Sequence, residues 1–427
     1  MLLTTPEAIR TLQRKLYTKA KQEPAYRFYA LYDKAWRADT LMFAYRLVRA
    51  NKGSSGVDGI NFEDIEQKTG IDTFLTDLAQ DLKDKTYHPS PVRRVMIPKA
   101  DGSKRPLGIP TIRDRVAQMA VKLIIEPIFE ADFCPNSYGF RPKKSAHQAV
   151  DDIANALHQG YTNVIDADLS KYFDSIPHSK LLAVVAERIV DSAILHVIKL
   201  WLKAPVIGED KDGTRKNVGG GKANSKGTPQ GGVISPLLAN CYLHLLDRIW
   251  DKHQLRRKLQ ARIVRYADDF VVLCRGKIDA PLTAVRHVLE RLDLTLNETK
   301  THIVDAKEES FNFLGFAIRV SKSWRTGKRY THICPAPKSL VKIKERITQM
   351  TGRERTPIPL DDIVGSMNAT LRGWSNYFHY RNSSKALEKV RRHTEERMRT
   401  HLMNRHKVKN RGTGIGRFPS CEFYTRL

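Results

Sequence analysis

Two adjacent aspartates, Asp268 and Asp269, sit between apolar runs in Arg262-Ile-Val-Arg-Tyr-Ala-Asp-Asp-Phe-Val-Val-Leu273. The pattern predicts two strands within 261–274 with the carboxylates at the turn between them. Like charges side by side repel, so a fold that concentrates them needs a compensating cation. Carboxylate oxygens suit Mg²⁺, which commonly binds one or two carboxylates together with substrate phosphates. Taken alone, an Asp-Asp pair is more often an ordinary turn than a metal site. A second acidic stretch changes that balance. In Val164-Ile-Asp-Ala-Asp-Leu-Ser-Lys-Tyr-Phe-Asp174, Asp166 and Asp168 alternate with Ala167 and would face one side of a strand. Between the two acidic stretches, Gly227-Thr-Pro-Gln-Gly-Gly-Val-Ile-Ser-Pro236 is a tight turn entering a helix. Glycine there lets backbone come close to a template strand or base pair. Acidic strand, glycine turn and acidic hairpin together form the pattern of a site for nucleotidyl transfer. Two ions about 3.5–4 Å apart stabilise both the attacking 3′ oxygen and the leaving pyrophosphate.

The elements that must hold these residues can be read from periodicity. Residues 1–50 read as helical and 51–59 as a loop. A helix is expected over 71–86. Val92 to Pro98 and Lys104 to Ile109 read as a strand pair turning through Ala100, Asp101, Gly102 and Ser103. Helices are expected over 113–131, 179–190 (with Ser179 as N-cap), 236–259 and 281–292. Residues 161–169 read as a strand ending in acids. Residues 208–227 read as a polar loop, with Gly219-Gly-Gly-Lys222 a flexible connection. It is no phosphate loop, because Ala223 stands where a Ser or Thr would bind Mg²⁺. Strands follow at 311–320 and 331–333. Three basic amphipathic helices are expected near 338–350, 360–379 and 384–403, with Trp374 and Phe378 in their core. The order of elements makes the fold class α+β with helical ends.

Composition narrows the partners. The chain has 427 residues, 73 Lys and Arg against 46 Asp and Glu, and a net charge of +27. Residues 321–427 carry +16 of this and the first 320 carry +11. Such an excess implies a polyanion, with RNA or DNA ahead of an anionic membrane surface. In the C-terminal part the cations interleave with Trp324, Tyr330, Trp374, Tyr377, Phe378 and Tyr380, and cation plus flat ring is how RNA is held. The five cysteines are far apart, which argues against a Cys-rich zinc module and a disulfide scaffold. The 14 histidines include no H-E-x-x-H pair. No long apolar run suggests a membrane span, and no apolar leader is expected at the N-terminus.

The chain resembles group II intron reverse transcriptase/maturases. The resemblance rests on Tyr266-Ala-Asp-Asp269, Asp168-Leu-Ser-Lys-Tyr-Phe-Asp174, Ile97-Pro-Lys-Ala-Asp-Gly-Ser-Lys-Arg-Pro-Leu-Gly-Ile-Pro110 and Ser137-Tyr-Gly-Phe-Arg-Pro142. It rests further on Gly227-Thr-Pro-Gln-Gly-Gly232 with Ser235-Pro-Leu-Leu-Ala-Asn240, on Phe313-Leu-Gly-Phe316, and on Gly373-Trp-Ser-Asn-Tyr-Phe378.

It implies a right-hand polymerase with a helical N-terminal extension (1–60), fingers and palm (61–320) and a three-helix thumb/maturase domain (321–411). A short tail (412–427) would follow without an endonuclease domain. The implied activity is RNA-directed DNA polymerase, with assistance to intron RNA splicing. By resemblance Asp168, Asp268 and Asp269 hold two Mg²⁺. Lys99, Arg105, Gln230 and Phe173 meet the dNTP, Phe173 as the ring that excludes a ribose 2′-OH. Asp166 and Asp174 are expected in ion-pair or capping roles. Arg141 is expected at the template or fingers surface, Gly315 in the segment that seats the primer, and Lys300 where a lysine can protonate pyrophosphate.

The implied partners are group II intron RNA, an RNA template with its DNA primer, dNTPs and target DNA. No membrane is expected, and a homodimer is left open. The implied setting is a ribonucleoprotein in a bacterial cytoplasm. The alternatives are a maturase without polymerase activity, against which the intact acids argue, and a domesticated reverse transcriptase in defence or DNA repair.

Overall fold

The computed structural model describes residues 3–98, 102, 104–209, 212 and 214–420. Lys99 and the turn residues Ala100, Asp101 and Ser103 lie outside them. The chain forms two compact units. One comprises Met1–Ala149, Ala167–Val271 and Asp279–Thr301; the other comprises Val150–Asp166, Val272–Ile278 and His302–Leu427.

The first unit is built on the helix Ile112–Asp132. Its Val116, Ala117, Ala120, Val121, Ile124 and Ile125 are buried on several faces, as expected of a helix at the centre of a core. The helices Glu7–Gln22 and Ala38–Ala50 pack on it. Thr111 starts it: its side chain accepts from the Asp114 amide at 3.1 Å, and its hydroxyl donates to Asp114 Oδ2 at 2.7 Å.

Beside these helices lies a four-stranded sheet in the order Lys104–Ile109, Val92–Pro98, Val206–Glu209, Arg215–Gly219. The first pair is antiparallel, with Ile97 opposite Arg105 and Arg94 opposite Gly108. The last two strands correct the expected polar loop at 208–227. The strand Arg215–Gly219 is almost wholly exposed, so it has no apolar face to show in the sequence. It is held by antiparallel pairing to Val206–Glu209, which in turn pairs in parallel with Val92 and Arg93.

Three other expectations are corrected. Ser179 is not an N-cap: the helix is His178–Ala186, and Pro177 holds the cap position without a side-chain bond. The His178 amide donates instead to the Ser225 carbonyl at 2.8 Å, so the helix start needs no serine. The helix expected over 236–259 is Ser235–Lys252, broken by left-handed Gln254 (φ 51°) before the short Leu255–Lys258. The strand expected over 311–320 is two strands, Phe311–Phe313 and Phe316–Lys322. A two-residue turn separates them, with φ 50° at Leu314 and 80° at Gly315. Apolar residues on both sides of the turn disguise it.

In the second unit, Asn163 to Asp166 pair antiparallel with His302–Asp305, a strand the periodicity did not reveal. The strands Phe311–Phe313, Phe316–Lys322 and Arg329–Pro335 form a separate sheet. The helices Pro337–Met350, Leu360–Phe378 and Ser384–Arg405 follow, close to their expected limits. Their core joins Ile343, Ile347, Met350, Ile363, Met367, Val390 and Met398, with Leu371 and Trp374 packed against it. Among the described residues no helix is long and apolar enough to cross a membrane.

Candidate active site

The strands Ala261–Tyr266 and Asp269–Cys274 are joined by Ala267 and Asp268. A connection this short requires a residue with positive φ, and Ala267 supplies it at 57°. Asp268 is half-buried at the tip; Asp269 is exposed as the first residue of the second strand. Burial pushes the Asp268 carboxyl up from its ordinary value, and the charge of Asp168 acts in the same direction. The turn's own backbone, Arg105 and Arg265 oppose them. The charges of Asp168 and Arg105 therefore both reach Asp268 within the first unit.

Asp168 follows directly on the strand Asn163–Ala167 and is strapped by the segment Asn297-Glu-Thr-Lys300. The Asn297 amide donates to the Asp168 carbonyl at 2.8 Å, and Asn297 Nδ2 donates to Asp168 Oδ2 at 3.2 Å. Lys300 Nζ stands 3.8 Å from the same oxygen. Opposite charge at that distance in a half-exposed site attracts but does not neutralise. Carboxylates whose charges reach one another are the hard, anionic donors that a divalent cation takes. Among the described residues, no three His, Cys, Asp or Glu side chains already stand grouped as a metal site.

The glycine turn is bound to its surroundings on two sides. The Gly108 amide donates to the Gln230 carbonyl at 2.6 Å. A Cβ on Gly231 would lie 2.2 Å from the Gly108 oxygen, and its φ is 114°, so only glycine fits. On the other side the Thr228 amide donates to the Phe173 carbonyl at 2.7 Å. His178 Nε2 bonds the Gly227 carbonyl at 2.7 Å. Arg105 Nε donates to Gln230 Oε1 at 2.8 Å. Thus the glycine turn ties Gln230 to Arg105 and its strand on one side and to the Phe173 backbone on the other. A cavity of about 270 Å³ lies against the glycine turn, lined among others by Arg94, Gly108, Asp174, Thr228 and Gln230; Asp168, Asp268 and Arg105 are not in its lining.

Arg141 departs from its expected place. It is buried, gripped by Glu130 through Nε at 2.9 Å and Nη2 at 2.6 Å, and its Nη1 donates to the carbonyls of Cys134 and Ser137 at 2.7 Å. Its donors are engaged inside the fold, so it shapes the Ser137–Pro142 segment and does not face a template. In the second unit, the Gly315 carbonyl accepts from the Ala336 amide at 2.8 Å and from Ser339 Oγ at 3.0 Å. Tyr377 donates to the Leu314 carbonyl at 2.9 Å, and Phe316 packs against Phe378 with ring centroids 5.2 Å apart and planes tilted by 57°. The Phe313–Phe316 turn is thereby fixed to the helix Leu360–Phe378.

The sequence reading missed a buried network beneath the acidic turn. Arg265 is fully buried in a strand of otherwise apolar inward residues. Its Nε and Nη2 donate to Asp247 Oδ2 at 3.0 and 2.6 Å. Its Nη1 donates to Asn240 Oδ1 and to the Ala267 carbonyl, each at 3.0 Å. Asn240 passes the contact on to the Gly139 carbonyl at 2.7 Å, and Asn136 Nδ2 donates to the other Asp247 oxygen at 3.1 Å. A Cβ on Gly139 would lie 2.3 Å from the Ala267 amide nitrogen. Part of the signal was present in the sequence: Arg265 is one of two arginines in a short, otherwise uncharged strand, and Asn240 and Asp247 stand seven residues apart on one helix face.

Residues 97–318 match the reverse transcriptase (RNA-dependent DNA polymerase) family. Residues 340–417 match the group II intron maturase-specific domain. Among curated relatives, the chain is 35% identical to Protein YkfC of Escherichia coli, over 75% of this chain and 90% of that one. It is 30% identical to the group II intron-encoded protein LtrA of Lactococcus lactis subsp. cremoris, over 82% of this chain and 70% of LtrA. An uncharacterized 91 kDa protein in the cob intron of Schizosaccharomyces pombe is 27% identical, over 80% of this chain and 49% of its own length.

Proposed function

The chain belongs to the group II intron reverse transcriptase/maturase family, and from that premise we propose how its residues divide the work. It is an RNA-directed DNA polymerase with a maturase domain that binds intron RNA and assists splicing. The family's chemistry depends on divalent metal. In our reading the cation is Mg²⁺, two ions in number, and Asp168 and Asp268 are its principal ligands with Asp269 the third. The ions, when bound, would offset the charge that builds on the primer 3′ oxygen and on the leaving pyrophosphate.

The reaction joins the primer 3′ oxygen to the α-phosphorus of a dNTP and breaks the α–β bridging bond. Arg105 holds the triphosphate: its guanidinium makes charge-assisted bonds to phosphate, and Gln230 Oε1, 2.8 Å from its Nε, aims it. Lys99 joins it in this proposal, from outside the described residues. Phe173 lies beside Gln230 through the Thr228–Phe173 bond and excludes a ribose 2′-OH. Lys300 is the proton donor to pyrophosphate, a role its position near Asp168 supports. Gly315 keeps the turn that seats the primer end. Fingers and palm would be 61–320 and the thumb 321–411, after a helical extension over 1–60. An RNA template with its DNA primer and target DNA would be the further partners.

The observation that carries this reading is the placement of Asp268 at the tip of its turn, within reach of the charges of Asp168 and Arg105, with Arg105 bonded to Gln230 at 2.8 Å. Primer extension on an RNA template, with dNTPs and Mg²⁺, tests it. Wild type should extend, and Asp268→Asn should lose activity by at least about a hundredfold, some 2.7 kcal/mol of transition-state stabilisation. An inert wild type, or an Asp268→Asn variant at full rate, would remove the proposal.

A further inference from the structure

Residues 319–339 fall between the two stretches that match known families. Within them the strands Phe316–Lys322 and Arg329–Pro335 pair through seven registered positions, from Phe316 opposite Pro335 to Lys322 opposite Arg329. The loop between them is ordered by its own bonds: the Ser323 amide donates to the Lys328 carbonyl at 2.9 Å, and the Gly327 amide donates to the Ser323 carbonyl at 2.8 Å. This short projecting tip carries Trp324, 87% exposed, the most exposed of the large apolar side chains in the described residues.

A single exposed apolar residue is ordinary. Its setting here is not. From Ser310 to Lys344 the chain has eight Lys and Arg and no Asp or Glu. Five of the eight are on this hairpin and exposed: Lys322, Arg325, Lys328 and Arg329 on or beside its tip, and Arg319 midway along its first strand. The Arg325 guanidinium stands 5.0 Å from the Trp324 ring centroid. With that contact made, the ring is still open to solvent. Tyr330 is also exposed, edge-on to His332 at 6.1 Å. A protein partner would match so much positive charge only with a dense acidic surface. It would leave unexplained an exposed indole beside a guanidinium. Unpaired RNA matches both features, because a base stacks on an aromatic face while its phosphates meet the cations.

We propose that this hairpin is an RNA-docking arm, whose tip takes an unpaired base on Trp324 and the adjoining phosphates on Arg325, Lys328 and Arg329. The choice of RNA rests on the family reading above; the choice of these residues does not. The site lies outside the stretch matched to the maturase-specific domain and adds a second contact for unpaired RNA to that domain's own.

Binding of the full chain to a labelled oligouridylate, and to a fully paired RNA duplex of equal length, decides it. Trp324→Ala should weaken oligouridylate binding about tenfold, and Trp324→Phe should restore most of it. Arg325→Gln, Lys328→Gln and Arg329→Gln together should lower the salt slope for the single strand by about 2, at roughly 0.7 per phosphate contact. These side chains are exposed, so the fold should survive each change. Unchanged affinity in Trp324→Ala overturns the arm. Equal weakening on the duplex overturns the stacking at Trp324. Primer extension, run in parallel on a short template, judges the polymerase reading alone, and its outcome neither rescues nor condemns the hairpin.

Discussion

Beneath the two acids of the active-site turn, one buried cation does the positioning. Arg265 and Asp247 are both fully removed from solvent. Such a pair contributes little net stability, yet removing one partner strands the other and costs about 3–5 kcal/mol. Arg265 also bonds the Ala267 carbonyl, one residue before Asp268. Asn240→Ala keeps the ion pair but removes one acceptor from Arg265 and the donor to Gly139. It should cost about 1–3 kcal/mol of stability, and kcat for nucleotide addition should fall at unchanged KM for dNTP. A lower urea midpoint with unaltered kcat would make the network merely structural. His244 lies beside it, buried against Phe133. Burial, reinforced by Arg265, Arg248 and Arg141 against the pull of Asp247, lowers its pKa from 6.5 to about 4. The folded state therefore holds His244 neutral where the unfolded chain would protonate it. Stability is fully present above pH 6.5 and is lost as pH falls toward 4, by on the order of 3 kcal/mol in all. His244→Phe should flatten the urea midpoint across that window; an identical acid limb in the variant would refute the assignment. The turn that carries the acids was legible because apolar runs flank it on both sides. Arg265 was not read, since Arg262 stands in the same strand and nothing in the sequence marks which of the two arginines turns inward to meet Asn240 and Asp247.

At the level of elements, the short motifs brace one another. The Ser137–Pro142 segment carries no exposed template contact at Arg141; its Gly139 instead lets the backbone close onto the Ala267 turn. Gly139→Ala should push that turn away and cut primer extension at least tenfold, about 1.4 kcal/mol in the barrier. Gly276→Ala, where a Cβ meets open space, should leave it unchanged; equal rates in the two variants would break the argument. Helices over 112–132, 337–350, 360–378 and 384–405 were readable because their apolar stripes repeat at helical spacing. The exposed strand Arg215–Gly219 and the His302–Asp305 strand were not, because main-chain pairing holds them and pairing leaves no side-chain period. The Leu314-Gly315 turn was hidden for the opposite reason: phenylalanines on both sides imitate one continuous strand.

For the molecule as a whole, a net charge of +27 overstates what a nucleic acid meets. Part of it is tied up in local pairs. On the helix Ser384–Arg405, Arg391 and Arg392 both bond Glu388, and Arg391 also bonds Glu395. These arginines, Arg391 first, hold the Glu388 carboxyl down at about 2. Each must exchange that partner before it meets a phosphate, so its gain on binding is reduced. Lys342, Arg346, Lys385 and Lys389 are exposed on the same helical bundle, and counterion release should weigh on such cations more than on the paired arginines. Replacing these four with Gln should therefore weaken RNA binding and lower the single-strand salt slope by up to about 3. Replacing Arg391 and Arg392 should change the slope less per charge removed. Both sets should leave the melting temperature within a few degrees, because exposed pairs contribute at most about 1 kcal/mol. Filter binding of the full chain to one RNA across a salt series compares the two sets directly. Equal losses per charge would mean that the carboxylates of this helix do not hold its arginines back, and that the simple charge count is the better guide.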